Sequence, residues 1–226
     1  DKFYKKFSKG KKKNKLVFCV PDTLINSFSK SLKSSSISIG AQNSHHHSNY
    51  GPFTGSVNAS MLKNSGAKYV ILGHSEKRAE GDTNRLIKKK IKSALEKKLR
   101  VIFCIGETGR EKKNKMTFLI LRKQFKDSLD KKFDFKNIII AYEPIWSIGT
   151  GKVPKIYDLQ NTFKFIKKYL KNHYKIKSVP PILYGGSVNE KNIRMFSKIN
   201  EINGFLIGGS SQSSKKFIDI IKNYYK

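Results

Sequence analysis

Glu143 and His74 are the residues whose type and placement point most directly to chemistry. Glu143 closes the apolar run Ile138-Ile139-Ile140-Ala141-Tyr142, and the proline that follows holds it extended. A carboxylate at the end of an apolar strand is costly unless it acts as a general base or forms a structural ion pair. His74 follows Tyr69-Val70-Ile71-Leu72-Gly73 and directly precedes Ser75-Glu76-Lys77-Arg78, which reads as a helix start. Alone, such a histidine reads as a hydrogen-bonded structural group. Paired with a glutamate from another strand, and facing an anion site, it becomes equipment for moving a proton next to a carbonyl.

The anion site comes from two copies of Gly-Gly-Ser, at Gly185-Gly186-Ser187 and Gly208-Gly209-Ser210. One copy would read as a plain turn. Two copies, each ending a strand and entering a helix, offer exposed N–H groups and a backbone that a phosphate can approach closely. Between Glu143 and the next helix runs Pro144-Ile145-Trp146-Ser147-Ile148-Gly149-Thr150-Gly151-Lys152. Its apolar tip and glycines suit a lid that closes over a ligand and excludes water. A nucleotide phosphate loop does not fit Gly151-Lys152, because Trp146 stands where a glycine is needed and Val153 where a Ser or Thr is needed. His45-His46-His47 has no nearby Cys or carboxylate and cannot converge on one ion, so no metal is expected.

The elements that must position these groups are legible as periodicity. Apolar runs at 16–20, 37–41, 69–72, 101–105, 138–142, 182–184 and 205–207 read as seven buried parallel strands. Amphipathic segments lie between them. Over 82–99, Leu86, Ile87, Ile91, Ala94, Leu95 and Leu99 share one helical face opposite lysines, with Asp82 as N-cap. Helices are also expected over 157–169 and around Phe217, Ile220, Ile221 and Tyr224. This alternation without a linker is an α/β fold in one domain, and polar groups at nearly every strand end favour a (β/α)8 barrel, whose active site is built there.

Composition narrows the function classes. The 226 residues are 38% hydrophobic and 28% charged, an ordinary balance for a globular chain, and no long uncharged apolar run is present. Cys19 and Cys104 sit in apolar runs and suggest no disulfide, so a reduced, cytoplasmic setting is expected. The net charge of +31 comes from 47 Lys and Arg against 16 Asp and Glu. Only six of the basic residues are Arg, the residue that forks onto phosphates and guanines. No specific nucleic-acid partner and no membrane are therefore expected.

The segments Ala41-Gln42-Asn43, Tyr69 through Arg78, Ala141 through Lys152, Tyr184-Gly185-Gly186-Ser187-Val188 and Gly204 through Ser210 resemble triosephosphate isomerases, in order from about Leu16 onward. The resemblance implies a TIM barrel that interconverts dihydroxyacetone phosphate and D-glyceraldehyde 3-phosphate without a cofactor. It implies Glu143 as base and His74 as neutral electrophile. It further implies phosphate contacts at Gly149, Ser187, Gly208 and Gly209, a supporting carboxylate at Glu76, and a buried thiol at Cys104. Tyr50-Gly51-Pro52-Phe53-Thr54-Gly55 resembles the projecting loop of the family's homodimer, with Phe53 and Thr54 at its tip. Three alternatives remain open: a noncatalytic phosphate binder, another sugar-phosphate isomerase, and a lysine-rich nucleic-acid binder.

One departure stands out. The family's first strand, ending in Asn-x-Lys, has no counterpart; residues 1–14 read as a basic first helix and turn, and Asn14-Lys15 has the wrong spacing. Lys11, Lys12 and Lys13 precede the family's second strand and point to the wrong end of the barrel. The 226-residue chain is therefore expected to be nearly inactive in a coupled isomerase assay, because a developing enediolate needs a positioned cation. An upstream extension of roughly one strand should restore turnover, and full turnover from the short chain would refute the expectation.

Overall fold

The computed structural model describes residues 15–224. The readings of residues 1–14, including Lys11, Lys12, Lys13 and Asn14, lie outside the described residues. The chain divides into two compact units: Asp1–Leu72 with Arg85–Ile102, and Gly73–Asn84 with Phe103–Lys226.

The first unit contains β1 (Val17–Val20), β2 (Ser38–Ala41), β3 (Tyr69–Leu72) and the first half of β4 (Arg100–Ile105), in that sheet order. β1 runs parallel to β2 with Val17 opposite Ser38, and β2 runs parallel to β3 with Gly40 opposite Tyr69. Position 40, buried mid-strand, holds glycine because a side chain there would lie 2.7 Å from the Cys19 sulfur. Helices α1 (Ile25–Ser31) and α2 (Ala59–Asn64) belong to this unit, as does nearly all of α4 (Asn84–Glu96). At the start of α2 the buried Asn58 side chain accepts the Met61 N–H at 3.0 Å, satisfying one of the orphan donors of a helix start.

α4 corrects two expectations. It begins at Asn84, so Asp82 is not its N-cap; the Asp82 N–H instead bonds the Lys77 carbonyl and closes the preceding turn. Its apolar face buries Ile87, Ile91 and Ala94 as expected, but Lys90 is buried with them. Lys90 Nζ donates to Asn43 Oδ1 at 3.1 Å, which is how a charge survives on that face.

The second unit continues with the rest of β4, then β5 (Ile138–Tyr142), β6 (Ile182–Tyr184) and β7 (Gly204–Phe205). β5 and β6 are parallel with Tyr142 opposite Tyr184, and β6 and β7 are parallel with Tyr184 opposite Phe205. β7 is shorter than the apolar run predicts, although Leu206 N–H still bonds Tyr184 O. The helices are α3 (Ser75–Ala79), α5 (Gly109–Lys113), α6 (Thr117–Ser128), α7 (Ile156–Tyr174), α8 (Ile193–Phe196) and α9 (Ser214–Tyr224). α7 outruns its expected end because the apolar period carries on through Leu170 to Tyr174, whose hydroxyl donates to Phe125 O at 2.8 Å.

Phe103, Phe125, Phe163, Phe196 and Tyr184 are fully buried and form this unit's core. Each contributes on the order of 2–3 kcal/mol of hydrophobic burial. Tyr142 meets Phe163 edge-on at 5.9 Å, and Phe103 meets Phe125 edge-on at 6.3 Å. Gln124 from α6 reaches the end of β4, accepting the Gly106 N–H at 2.9 Å and donating to the Gly106 carbonyl at 2.8 Å. That pair of hydrogen bonds fixes the end of β4. Parallel strands in chain order, alternating with helices, are the pattern of a (β/α)8 barrel.

Candidate active site

Every polar group of the site described below belongs to the second unit. Gly73 turns the chain after β3 with φ +75°, a conformation that favours glycine. His74 then caps α3, its Nδ1 accepting the Glu76 N–H at 3.4 Å. An Nδ1 that accepts leaves the neutral ring's proton on Nε2. Nε2 lies 3.3 Å from Glu143 Oε1. Burial pushes the His74 pKa down, opposed by the charge of Glu76, whose exposed carboxylate lies 3.8 Å from Nδ1.

Glu143 leaves β5 with 3% of its surface exposed. Its N–H bonds the carbonyl of Ile105 at 2.7 Å, tying the ends of β5 and β4 together. Burial drives its pKa up to about 8, against the opposing effects of the Cys104 thiol, the Arg78 charge and the Ser75 N–H. Arg78 is a strut as well as a charge. Its Nε donates to Gly73 O at 2.7 Å, Nη1 to Asn84 Oδ1 at 2.6 Å and Nη2 to Cys104 O at 3.1 Å. The loop carrying His74 and the strand carrying Cys104 are thereby held in one frame.

Glycines make room for this carboxylate. A side chain at Gly106 would strike the Glu143 carbonyl, and one at Gly185 would lie 2.7 Å from Glu143 Cγ. A side chain at Gly186 would strike the Tyr184 hydroxyl and lie 2.8 Å from Ser147 Oγ. Packing within the protein therefore suffices to require glycine at Gly185 and Gly186. Gly208, Gly209 and Gly149 do face open space. Ser210 Oγ donates to Val188 O at 3.1 Å, drawing the two Gly-Gly-Ser loops together.

The segment expected to act as a lid begins with one 3-10 turn, Ile145–Ser147. Gly149 and Gly151 adopt φ +67° and +73° and bend its tip. Its base is anchored on Glu107, which is fully buried. Trp146 Nε1 donates to Glu107 Oε1 at 2.9 Å, and the Tyr142 hydroxyl donates to Glu107 Oε2 at 3.1 Å. Burial raises the Glu107 pKa and these donors oppose the shift.

Sequence reasoning singled out Glu143 and His74 and missed the working partners Arg78, Glu107 and Ser147. Arg78 lies four residues after His74, the spacing that returns to one helical face. Glu107 stands two residues past the apolar run 101–105, and its partners Tyr142 and Trp146 are 35 and 39 residues away. Phe53 and Thr54 belong to the other unit. There the Phe53 ring stacks on His47 at 4.3 Å and leans on His45 at 4.9 Å, while Tyr50 is 67% exposed.

Comparison with known proteins gives one answer. The triosephosphate isomerase family profile matches residues 1–224, further upstream than the motifs reach. The triosephosphate isomerase of Dictyoglomus thermophilum is 39% identical over 231 residues, spanning 99% of this chain and 92% of that protein. That of Alkaliphilus metalliredigens is 39% identical over 211 residues, spanning 91% and 85%. The crystal structure of triosephosphate isomerase from Bartonella henselae superposes with a TM-score of 0.85 at 34% identity, covering 94% of this chain and 86% of that one. A whole-chain family match, close sequence relatives and a shared α/β barrel architecture agree: the chain belongs to the triosephosphate isomerase family and is an isomerase.

Proposed function

We propose that the protein interconverts dihydroxyacetone phosphate and D-glyceraldehyde 3-phosphate, a step of glycolysis and gluconeogenesis. The observation that carries this reading is the approach of His74 Nε2 to Glu143 Oε1, 3.3 Å, with Glu143 buried and its pKa raised. Glu143 takes a proton from the carbon beside the substrate carbonyl. His74, neutral with its proton on Nε2, donates a hydrogen bond to the carbonyl oxygen as negative charge builds there. The electron pair passes into an enediolate, a proton moves from the hydroxyl oxygen to the former carbonyl oxygen by way of His74 Nε2, and Glu143 returns its proton to the adjacent carbon as the new carbonyl forms. Burial favours the uncharged imidazole and makes the Glu143 carboxylate a stronger base once ionised, at the cost of a smaller ionised fraction at neutral pH.

The phosphate is held by backbone N–H groups of Gly149, Ser187, Gly208 and Gly209 together with the Ser187 hydroxyl. Open space at Gly208 and Gly209 and the link between their loop and Val188 support this placement. Glu76 steadies the imidazole through its backbone N–H, which donates to His74 Nδ1 at 3.4 Å. Both described cysteines are free, in keeping with action in the cytoplasm. Among the described residues no helix is long and apolar enough to cross a membrane.

The base assignment has a direct kinetic test. Glu143→Asp draws the carboxylate back by about one methylene, and turnover should fall by orders of magnitude while binding of a substrate analogue changes little. Near-normal turnover in that variant would remove Glu143 from its role.

The active form is a homodimer docked through the loop 50–55. Tyr50 presents aromatic surface to solvent, and the neighbouring Phe53 is braced by the histidine stack. Sedimentation at micromolar concentration should give twice the chain mass. A monomer with full activity would refute the dimer.

A further inference from the structure

The second unit also holds a cavity of about 440 Å³ whose walls contain neither Glu143 nor His74. Gly109, Arg110, Lys112 and Lys113 of α5 line it together with Trp146 and Lys152. Its size falls in the range of small-molecule sites, roughly 300–1,000 Å³. Four of the lining residues are cationic and none is acidic. Lys112 is answered by Asp158, whose Oδ2 lies 3.3 Å from its Nζ. Glu111, on the same short helix, is spent on the helix cap: its Oε2 accepts the Thr108 N–H at 2.7 Å and the Thr108 hydroxyl at 2.9 Å. Arg110, Lys113 and Lys152 are exposed and have no ion pair among the described residues. Unpaired cations around one hollow repel each other, and a bound anion relieves that repulsion.

Trp146 gives the cavity its second character. Its Nε1 donates to the buried Glu107 at 2.9 Å, which fixes the plane of the ring. The residue is only half-buried. Gly109 lies against it, since a side chain there would be 3.4 Å from Trp146 Cβ. A held indole is a planar, apolar wall on which another flat ring can stack. The lysine stems extend that apolar surface while their charged ends stay at the rim.

We infer that this cavity binds a nucleoside triphosphate, with the base stacked on Trp146 and the phosphates held by Arg110, Lys113 and Lys152. A small inorganic anion would meet the cations and leave the indole uncovered. A neutral aromatic ring would cover the indole and leave the cations unpaired. Arg110 can take two phosphate oxygens side by side, which a lysine cannot. The cavity shares no residue with the substrate contacts proposed at Gly149, Ser187, Gly208 and Gly209.

Trp146 is the only tryptophan of the chain, so its fluorescence reports on the cavity directly. Titration of the full-length protein with magnesium-free ATP should quench it saturably, with the affinity read in parallel by calorimetry. Tripolyphosphate lacks the base and should bind about tenfold more weakly, the size of one stacking contact. Adenosine lacks the charges and should bind more weakly still. Arg110→Ala combined with Lys113→Ala should weaken ATP by roughly tenfold or more through lost charge-assisted bonds. Lys164→Ala combined with Lys168→Ala removes the same charge from exposed positions of α7 outside the cavity. That control should change ATP affinity by less than about twofold, because only screened attraction is lost.

Equal weakening by the two double variants would show attraction to the net charge of +31 alone and would overturn the site. Tripolyphosphate binding as tightly as ATP would remove the stacking and with it the nucleoside triphosphate. Quenching that triose phosphate abolishes, and that the Arg110 and Lys113 changes leave intact, would place ATP in the substrate site and sink the proposal. The probe comparisons on wild type need no variant to fold and no turnover, so they stand or fall independently of the isomerase reading.

Discussion

Burial of one carboxylate organises the second unit. Glu143 has to sit at the end of an apolar strand, out of water, with its oxygen near an imidazole. Desolvation makes that carboxylate a stronger base and also makes it costly to hold. Its neighbours moderate the cost without cancelling it: the Cys104 thiol, the Ser75 N–H and the Arg78 charge lower the pKa, and burial still prevails. Gly106 and Gly185 lack side chains because Glu143 occupies the space they would need. Arg78 has its own donors spent on Gly73, Asn84 and Cys104, so it supplies charge from a fixed position.

The same constraint has a consequence for stability. A folded-state pKa above the unfolded value means the native protein holds a proton that the unfolded chain has released. The stabilisation is complete below the ordinary value of 4.5 and is lost as pH rises through about 8. The proposed base is therefore ionised in the range where it stabilises the fold least, a trade of stability for the proposed function. His74 follows the opposite sign. Its pKa is lowered, so its contribution is present above the ordinary histidine value of 6.5 and is lost as pH falls through the folded value.

The strands and the two central residues were legible because they rest on local signals. β1 through β6 fall within a residue of their apolar runs, and Glu143 and His74 announce themselves by lying just past such runs. β7 was overestimated because Ile207 continues the apolar pattern after the ladder has ended. Lys90 and Asp82 were misread for a related reason: a helix face or a cap is decided by partners such as Asn43 or Lys77 that no local pattern contains. The glycines were the subtler case. Gly185-Gly186 and Gly208-Gly209 look alike in sequence, but the first pair is crowded by Glu143 and Tyr184 and the second faces open space. The bonds of Glu107 to Tyr142 and Trp146, and of Ser147 to Tyr184 and Ser187, were hidden because they join residues distant in the chain.

The central claim is that burial turns Glu143 into a base far stronger than a free glutamate. Selective carbon-13 labelling of glutamate, with the Glu143 carboxyl resonance assigned by comparison with Glu143→Gln, allows its titration to be followed directly in the unliganded protein. The account predicts a midpoint raised to about 8. A midpoint near the ordinary 4.5 would contradict it.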